Sequence, residues 1–240
     1  MEDRRGGHTM VSLAPWGPAA RLEELPLLKR GAEAEIRLGE FMGLQAVYKA
    51  RVRKPYMHPR LAERLVRLRT RREARVIAAA RAAGVSAPAL LAVFPSLGLI
   101  VMEYVEGPLL KDVIDRRGLG AGGLVEEAGY NLGLLHRAGV VHGDPTTSNY
   151  IVRGGGVVLI DYGLAEFSSS VEDRAVDLHL FRRAVESTHA PLAGELYSLY
   201  TRGYLRAVGE WGGEVLRRAE EIRLRGRYVR ERRRSVWGVG

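Results

Sequence analysis

The stretch from Val140 to Gly163 constrains the fold of this chain more than any other part of it. Val140-Val141, Tyr150-Ile151-Val152 and Val157-Val158-Leu159-Ile160 are short β-prone runs. Between the first two lies the polar loop His142-Gly143-Asp144-Pro145-Thr146-Thr147-Ser148-Asn149, and Gly154-Gly155-Gly156 supplies the turn of a hairpin. Asp144 and Asn149 then sit on the loop before the hairpin, and Asp161 sits just beyond its second strand. Taken singly, each is ordinary turn chemistry, since Asp-Pro and Ser-x-Asn are common in loops. Taken in order and bracketed by strands, they suit phosphoryl transfer. A carboxylate can orient a hydroxyl or water, while an amide and a second carboxylate hold Mg²⁺ against triphosphate oxygens.

At 240 residues and 46% hydrophobic content the chain can bury a core as one domain or as two small lobes. No apolar run reaches membrane-spanning length, because Pro95 and Gly98 interrupt the longest uncharged stretch, Leu90 to Met102. The N-terminus mixes acids, arginines and glycines without an apolar segment, so no signal peptide is expected. With no cysteine, disulfide and thiolate chemistry are excluded. The default expectation is a soluble cytoplasmic protein with no membrane partner. The net charge of +9 is carried almost wholly by arginine, the lysines being Lys29, Lys49, Lys54 and Lys111. Arginine pairs bidentately with phosphates. A compositional bias and a polyanionic partner both account for the excess.

Residues 1–22 are rich in Gly, Pro and charge without periodicity, and read as a flexible N-terminal segment. Leu25 to Arg30, Ile36 to Phe41 and Leu44 to Ala50 read as strands, with Met42-Gly43 turning the second hairpin. Gly31-Ala32-Glu33-Ala34-Glu35 stands where a nucleotide-covering loop would be, so Gly31, Ala32 and Glu33 are candidate nucleotide contacts. It has one glycine, and Glu33 would repel phosphate. Lys49, near the end of the third strand, suits the α- and β-phosphates, or is an exposed strand lysine. His58-Pro59 to Ala83 reads as a long helix stopped by Gly84. Glu73 lies on it among arginines, either as part of a solvated salt-bridged face or as the partner of Lys49, which the context favours. Ala89 to Val93 and Gly98 to Glu103 complete five strands. Met102 to Pro108 then reads as a hinge, where the backbone of Glu103 and Val105 could meet an adenine edge. Beyond it helices dominate: Leu109 to Arg116, Leu124 to Ala138 closed by Gly139, Asp173 to Thr188, Pro191 to Val208 and Gly213 to Arg223.

The spacing His-x-Asp-x-x-x-x-Asn followed by Asp-x-Gly resembles the catalytic and metal-binding loops of protein kinases. Lys54-Pro55-Tyr56-Met57-His58-Pro59-Arg60-Leu61, Arg69-Thr70-Arg71-Arg72-Glu73-Ala74 and Glu172-Asp173-Arg174-Ala175-Val176-Asp177-Leu178 narrow the match. With Gly31 to Ala34 and His142 to Asn149, they resemble the small atypical kinase of the KEOPS complex, the PRPK type in the RIO-like branch of the superfamily. The resemblance covers about Leu25 to Arg227. It implies an α+β, two-lobed protein-kinase-like fold: a five-stranded antiparallel sheet with one long helix over 23–104, a reduced, mainly helical lobe over 105–222, and a basic tail over 223–240. It implies ATP and Mg²⁺ as cofactors, ATPase activity with Ser autophosphorylation, and support of threonylcarbamoyladenosine formation in tRNA. The implied partners are a threonylcarbamoyl-transferring subunit, other KEOPS subunits and tRNA. Carried over by residue, Lys49 contacts phosphates and Glu73 orients it. Asp144 is the catalytic carboxylate, Asn149 and Asp161 bind metal, and Asp177 braces the catalytic loop.

Some features depart from the wider pattern. Gly143 stands where many protein kinases have Arg, which removes control of an activation loop through that arginine. The short connection from Gly163 to Asp177 has no Ala-Pro-Glu segment, so a peptide-docking platform is not expected. Pro145 and Tyr162 replace the more usual Leu and Phe, and Tyr228-Val229-Arg230-Glu231 departs from the family's ending. The arginine-rich end is expected to be mobile until an anion such as tRNA orders it, with Tyr228 free to stack on a base. Two other functions fit parts of the pattern. A small-molecule phosphotransferase of the aminoglycoside type shares His-Gly-Asp-x-x-x-x-Asn, but lacks the Asp-x-Gly seen here. A largely non-catalytic RNA-binding scaffold has no need of Lys49, Asp144, Asn149 and Asp161 together.

Overall fold

Residues 22–52 and 56–237 are described by a computed structural model, with side chains described as far as residue 225. The segment expected to be flexible over 1–21, Lys54-Pro55 of the signature run, and the side chain of Tyr228 lie outside the described residues. The chain divides into two compact units, Met1–Ala74 with Ala89–Tyr104, and Arg75–Pro88 with Val105–Gly240.

The first unit is built on an antiparallel sheet of β1 (Leu27–Arg30), β2 (Ala34–Phe41), β3 (Leu44–Arg51), β4 (Leu90–Phe94) and β5 (Leu99–Glu103), in the order β1-β2-β3-β5-β4. Met42 and Gly43 both take positive φ, 53° and 82°, the two-residue turn whose twist matches that of the strands it joins. On one face Phe41, Ala46, Tyr48, Leu99 and Val101 form a buried cluster. Gly39 leaves room for this packing, since a Cβ there would stand 2.9 Å from the ring of Tyr48 and would displace it. Alternation along β3 turns Lys49 to the opposite face, opposite Ile36 on β2 and Ile100 on β5. Helix α1 (Pro59–Ala82) opens with proline at its first position, where the missing N–H costs nothing. It closes on Gly84 at φ 83°, with the Val85 N–H returning to the Ala80 carbonyl.

The second unit is mainly helical. It contains α2 (Leu110–Arg117), α3 (Gly122–Arg137), β6 (Val140–Val141), the hairpin β7 (Tyr150–Arg153) and β8 (Gly156–Leu159), β9 (Glu166–Phe167), α4 (Val171–Thr188), α5 (Ala193–Val208) and α6 (Gly212–Trp237). Helices α3 and α5 approach backbone to backbone. A Cβ on Gly129 would stand 1.9 Å from the Tyr200 carbonyl oxygen, and one on Gly203 1.8 Å from that of Glu126. Tyr150, Tyr162, Tyr200 and Tyr204 are all fully buried, with the Tyr200 ring stacked on Phe181 at 3.5 Å between centroids.

Two elements differ from the sequence reading. Strand β9, only two residues long, pairs with β6, and a run so short carries no periodicity to read. The last helix continues to Trp237 instead of ending near Arg223. Its Arg and Glu are good helix formers, and Glu220 pairs with Arg223 within the helix. These outweigh the cost of about 1 kcal/mol for Gly226 in a helix interior. Among the described residues no helix is long and apolar enough to cross a membrane.

Candidate active site

In the first unit the chemistry centres on Glu73, which is only 2% exposed. Its Oε1 lies 2.6 Å from the Lys49 Nζ, and its Oε2 accepts a hydrogen bond from the Arg51 guanidinium. Glu73 is therefore a buried partner of Lys49 rather than part of a solvated face. Arg51 went unread in the sequence, although its place two residues after Lys49 on β3 puts both on one face. Glu33, expected to repel phosphate, is instead held by Arg69 at 3.0 Å and stands 4.0 Å from Arg51, so its charge is compensated. The tight loop it shares with Gly31 and Ala32 is closed by the Gly31 N–H donating to the Ala34 carbonyl at 2.9 Å. At the end of β5, Glu103 is tied to Ala89 twice: its N–H donates to the Ala89 carbonyl, and its carboxylate accepts the Ala89 N–H. Val105 is buried in the second unit.

In the second unit one buried carboxylate organises the loop between β6 and β7. Asp177, on α4, accepts hydrogen bonds from the backbone N–H of His142 at 2.6 Å and of Gly143 at 2.8 Å. It also lies 3.0 Å from the His136 Nε2, and the His136 Nδ1 lies 3.0 Å from the Tyr204 hydroxyl. Burial holds the His136 pKa below its ordinary value, against the pull of Asp177. A neutral His136 donates from Nε2 to Asp177 and accepts at Nδ1 from Tyr204. Sequence reasoning passed over His136 and Tyr204. The available signal was a histidine on the apolar face of α3, whose bland reading is a satisfied core residue.

His142 is likewise buried, with its pKa lowered mainly by desolvation. Its Nε2 donates to the Ile160 carbonyl, leaving Nδ1 to accept the Asp144 N–H at 3.2 Å. Gly143 takes φ 81°, and a Cβ there would meet the Leu164 carbonyl oxygen at 2.9 Å. An arginine at this position would be strained and crowded, which explains the departure from the common kinase pattern.

Asp144 and Asn149 are in direct contact. The Asn149 Nδ2 donates to the Asp144 carboxylate at 2.9 Å and to its carbonyl at 2.8 Å. The donor end of the amide is thus committed, and its oxygen is the end open to a cation. The Ile160 N–H donates to the Asn149 carbonyl, which fixes the start of the hairpin against its end. Asp161 follows at φ 62° and ψ 66°, a left-handed conformation that Asp tolerates better than most residues. Asp144, Asn149 and Asp161 are oxygen donors of the kind Mg²⁺ prefers. Among the described residues no three His, Cys, Asp or Glu cluster as a ready metal cage.

The model of the RIO domain matches residues 37–186, a span that holds Lys49, Glu73, Asp144, Asn149, Asp161 and Asp177. The KEOPS complex subunit Bud32 of Pyrococcus abyssi is 43% identical over 216 residues, covering 87% of this chain and 98% of that protein. A probable bifunctional tRNA threonylcarbamoyladenosine biosynthesis protein of Methanothermobacter thermautotrophicus is 42% identical over 208 residues. This chain spans 38% of that relative's length. Among solved structures, WaaP in complex with acyl carrier protein aligns over 83% of this chain and 90% of its own with a TM-score of 0.56. At 18% identity that likeness speaks for a shared kinase-like fold alone. From the matched span and the near full-length coverage of the Pyrococcus relative, this chain belongs to the RIO-domain family and, within it, to the branch of the KEOPS subunit Bud32.

Proposed function

We propose that this chain is an ATP- and Mg²⁺-dependent phosphotransferase or ATPase that acts as a cytoplasmic KEOPS subunit in support of threonylcarbamoyladenosine formation in tRNA. The observation that carries the chemistry is the bracing of the His142–Asn149 loop by Asp177, which sets Asp144 against Asn149 at the mouth of the hairpin. Asp144 is the carboxylate that orients the attacking water or hydroxyl. Lys49, oriented by Glu73, takes the α- and β-phosphates. The Gly31-Ala32-Glu33 turn covers the nucleotide, and the backbone at Glu103 and Val105 meets the adenine edge. Asn149 and Asp161 are the residues that would hold Mg²⁺, which neutralises charge on the phosphate oxygens when bound. The partners are a threonylcarbamoyl-transferring subunit, other KEOPS subunits, and tRNA, with the arginine-rich end of α6 directed to the RNA.

Two features favour slow, partner-dependent turnover over general protein phosphorylation. The covering turn has a single glycine, and the chain enters α4 at Val171 soon after the Tyr162–Leu164 turn, without a peptide-docking segment. The test is phosphate release from radiolabelled ATP, with and without the partner subunit and tRNA. Asp144→Ala and Asp161→Ala should each remove most turnover, and Asp161→Ala should weaken Mg²⁺-ATP binding more. Parent-like turnover in both variants would overturn the assignment, as would fast phosphorylation of casein without a partner.

A further inference from the structure

Helix α1 carries eight arginines against two glutamates, in a chain whose net charge is +9. One of those glutamates, Glu73, is buried and already shared by Lys49 and Arg51. The arginines do not all play one part. Arg69 is paired with Glu33, and Arg75 lies over the Phe167 ring. Arg60, Arg64, Arg67 and Arg71 are exposed, and none has an acidic partner among the described residues. At about 100° per residue these four fall within roughly 60° of arc, along about 16 Å of the helix. All four belong to the first unit.

A row of like charges one turn apart opposes the helix that holds it; the exposed Glu63 beside the row is a single acid against four arginines, so an anion along the stripe would stabilise it further. Protein interfaces have cores depleted of charge and enriched in apolar and aromatic groups. This stripe has the opposite make-up: its members are all arginines, and the exposed Leu61 and Leu68 lie beside it rather than within it. A long, narrow, predominantly basic row with a cation at about every helical turn matches the regularly repeated negative charge of one nucleic-acid strand. Arginine, with its planar fork, is suited to phosphate oxygens.

We propose that the outward face of α1 is an RNA-binding surface on which Arg60, Arg64, Arg67 and Arg71 take neighbouring phosphates of one strand. The inference deepens the function proposed above and rests on it for the choice of tRNA as ligand. The surface's four arginines are different residues from those of the arginine-rich end of α6 and from those assigned to ATP.

The experiment measures binding of a fluorescent, unmodified tRNA transcript by anisotropy between 50 and 300 mM KCl. It compares the parent with the quadruple variant R60A/R64A/R67A/R71A, its all-lysine counterpart, and a dispersed control. The control, R116A/R117A/R183A/R217A, removes the same charge from exposed arginines elsewhere. Loss of four single-strand phosphate contacts should flatten the log–log salt slope by about 3 and weaken binding at least tenfold. The lysine variant should keep the slope, and the dispersed variant should shift it by less than one unit. The single variants R64A and R67A should each shift it by about 0.7, which keeps the test decisive if the quadruple variant folds poorly. An equal loss in the dispersed variant, or no loss on α1, would overturn the proposal. So would competition by a poly-glutamate peptide or by phosphatidylserine vesicles with the same variant dependence, which would assign the face to an acidic protein or a membrane. ATP hydrolysis without RNA, measured on the same proteins, separates the two readings. The α1 variants should hydrolyse ATP like the parent, whereas a parent whose hydrolysis does not depend on Asp161 refutes the assigned chemistry and leaves the surface standing.

Discussion

Glu73 holds two cations with one carboxylate, and this sharing sets the order in which substitutions around it should destabilise the protein. The side chains of Lys49, Arg51 and Glu73 are only 9%, 5% and 2% exposed, so none can turn to water for compensation. Glu73→Gln removes the buried carboxylate that the ammonium and the guanidinium share, and Arg51 keeps only the more distant Glu33 at 4.0 Å among the ion pairs described above. Breaking a buried ion pair from one side costs about 3–5 kcal/mol. For a chain of this size, each kcal/mol lowers the unfolding midpoint by roughly 2–4 °C, so the expected drop is about 6–20 °C. Lys49→Met removes one cation, but Glu73 keeps the charge-assisted bond from Arg51, and a methionine fills the same slot. Its cost should be below about 1.5 kcal/mol, the scale of a volume-conserving change. Both variants should lose ATP turnover under the proposed function, so stability rather than activity separates them. The assay is thermal unfolding by circular dichroism, without nucleotide. A Lys49→Met variant as unstable as Glu73→Gln would show that Arg51 does not neutralise Glu73, and the shared-carboxylate account would fall.

Tyr162 has a fully buried hydroxyl without a hydrogen-bond partner among the described residues, so Tyr162→Phe should be neutral or stabilising by about 1 kcal/mol in denaturant unfolding; a clear loss of stability would reveal a bond to that hydroxyl. Gly129→Ala places a methyl against the Tyr200 carbonyl and should cost at least about 1–3 kcal/mol as α3 and α5 are pushed apart, whereas the same change at the uncrowded Gly194, in the first turn of α5, should be neutral or stabilising by up to about 1 kcal/mol in the same unfolding curve. His136 and His142 have pKa values lowered by burial, so the folded state binds fewer protons than the unfolded state once pH falls to the ordinary histidine range. Their contribution is whole above about pH 6.5 and declines below it, by up to about 1.4 kcal/mol per pH unit for each; denaturation midpoints at pH 7.5 and 5.5 check this, and equal midpoints would mean that neither ring is held neutral.

The sheet of the first unit was readable because its strands are bounded by strong turn chemistry and alternate cleanly. Met42-Gly43 fixed a hairpin, and the scarcity of lysine made Lys49 stand out. Its pairing with Glu73 followed from context, since sequence alone left a surface helix face equally open to Glu73. Arg51 was hidden among the other arginines. The Asp177 brace could be anticipated only from the family likeness, because nothing local tells a helical Asp that it will meet backbone amides on a loop over thirty residues away. His136 and Tyr204 lie on α3 and α5, and only packing brings them to Asp177. The end of α6 was less legible, because a run of like charges reads as a place for the helix to stop, whereas the helix continues to Trp237 and pairs part of its charge within itself, as Glu220 does with Arg223.

The amides bound to Asp177 give the His142–Asn149 loop an unusual clock. Loop amides usually trade their hydrogens with solvent through small local fluctuations. Those of His142 and Gly143 donate instead to a carboxylate that is 1% exposed and is held in turn by His136. Their hydrogens can leave only when α4 parts from the loop, so in heavy water they should exchange at the pace of the helical core around them. The exposed Ser148, a few residues along the same loop, should exchange far sooner. A loop with slow amides at its root and a fast one at Ser148 keeps the backbone leading into Asp144 fixed while its outer edge remains free to meet substrate.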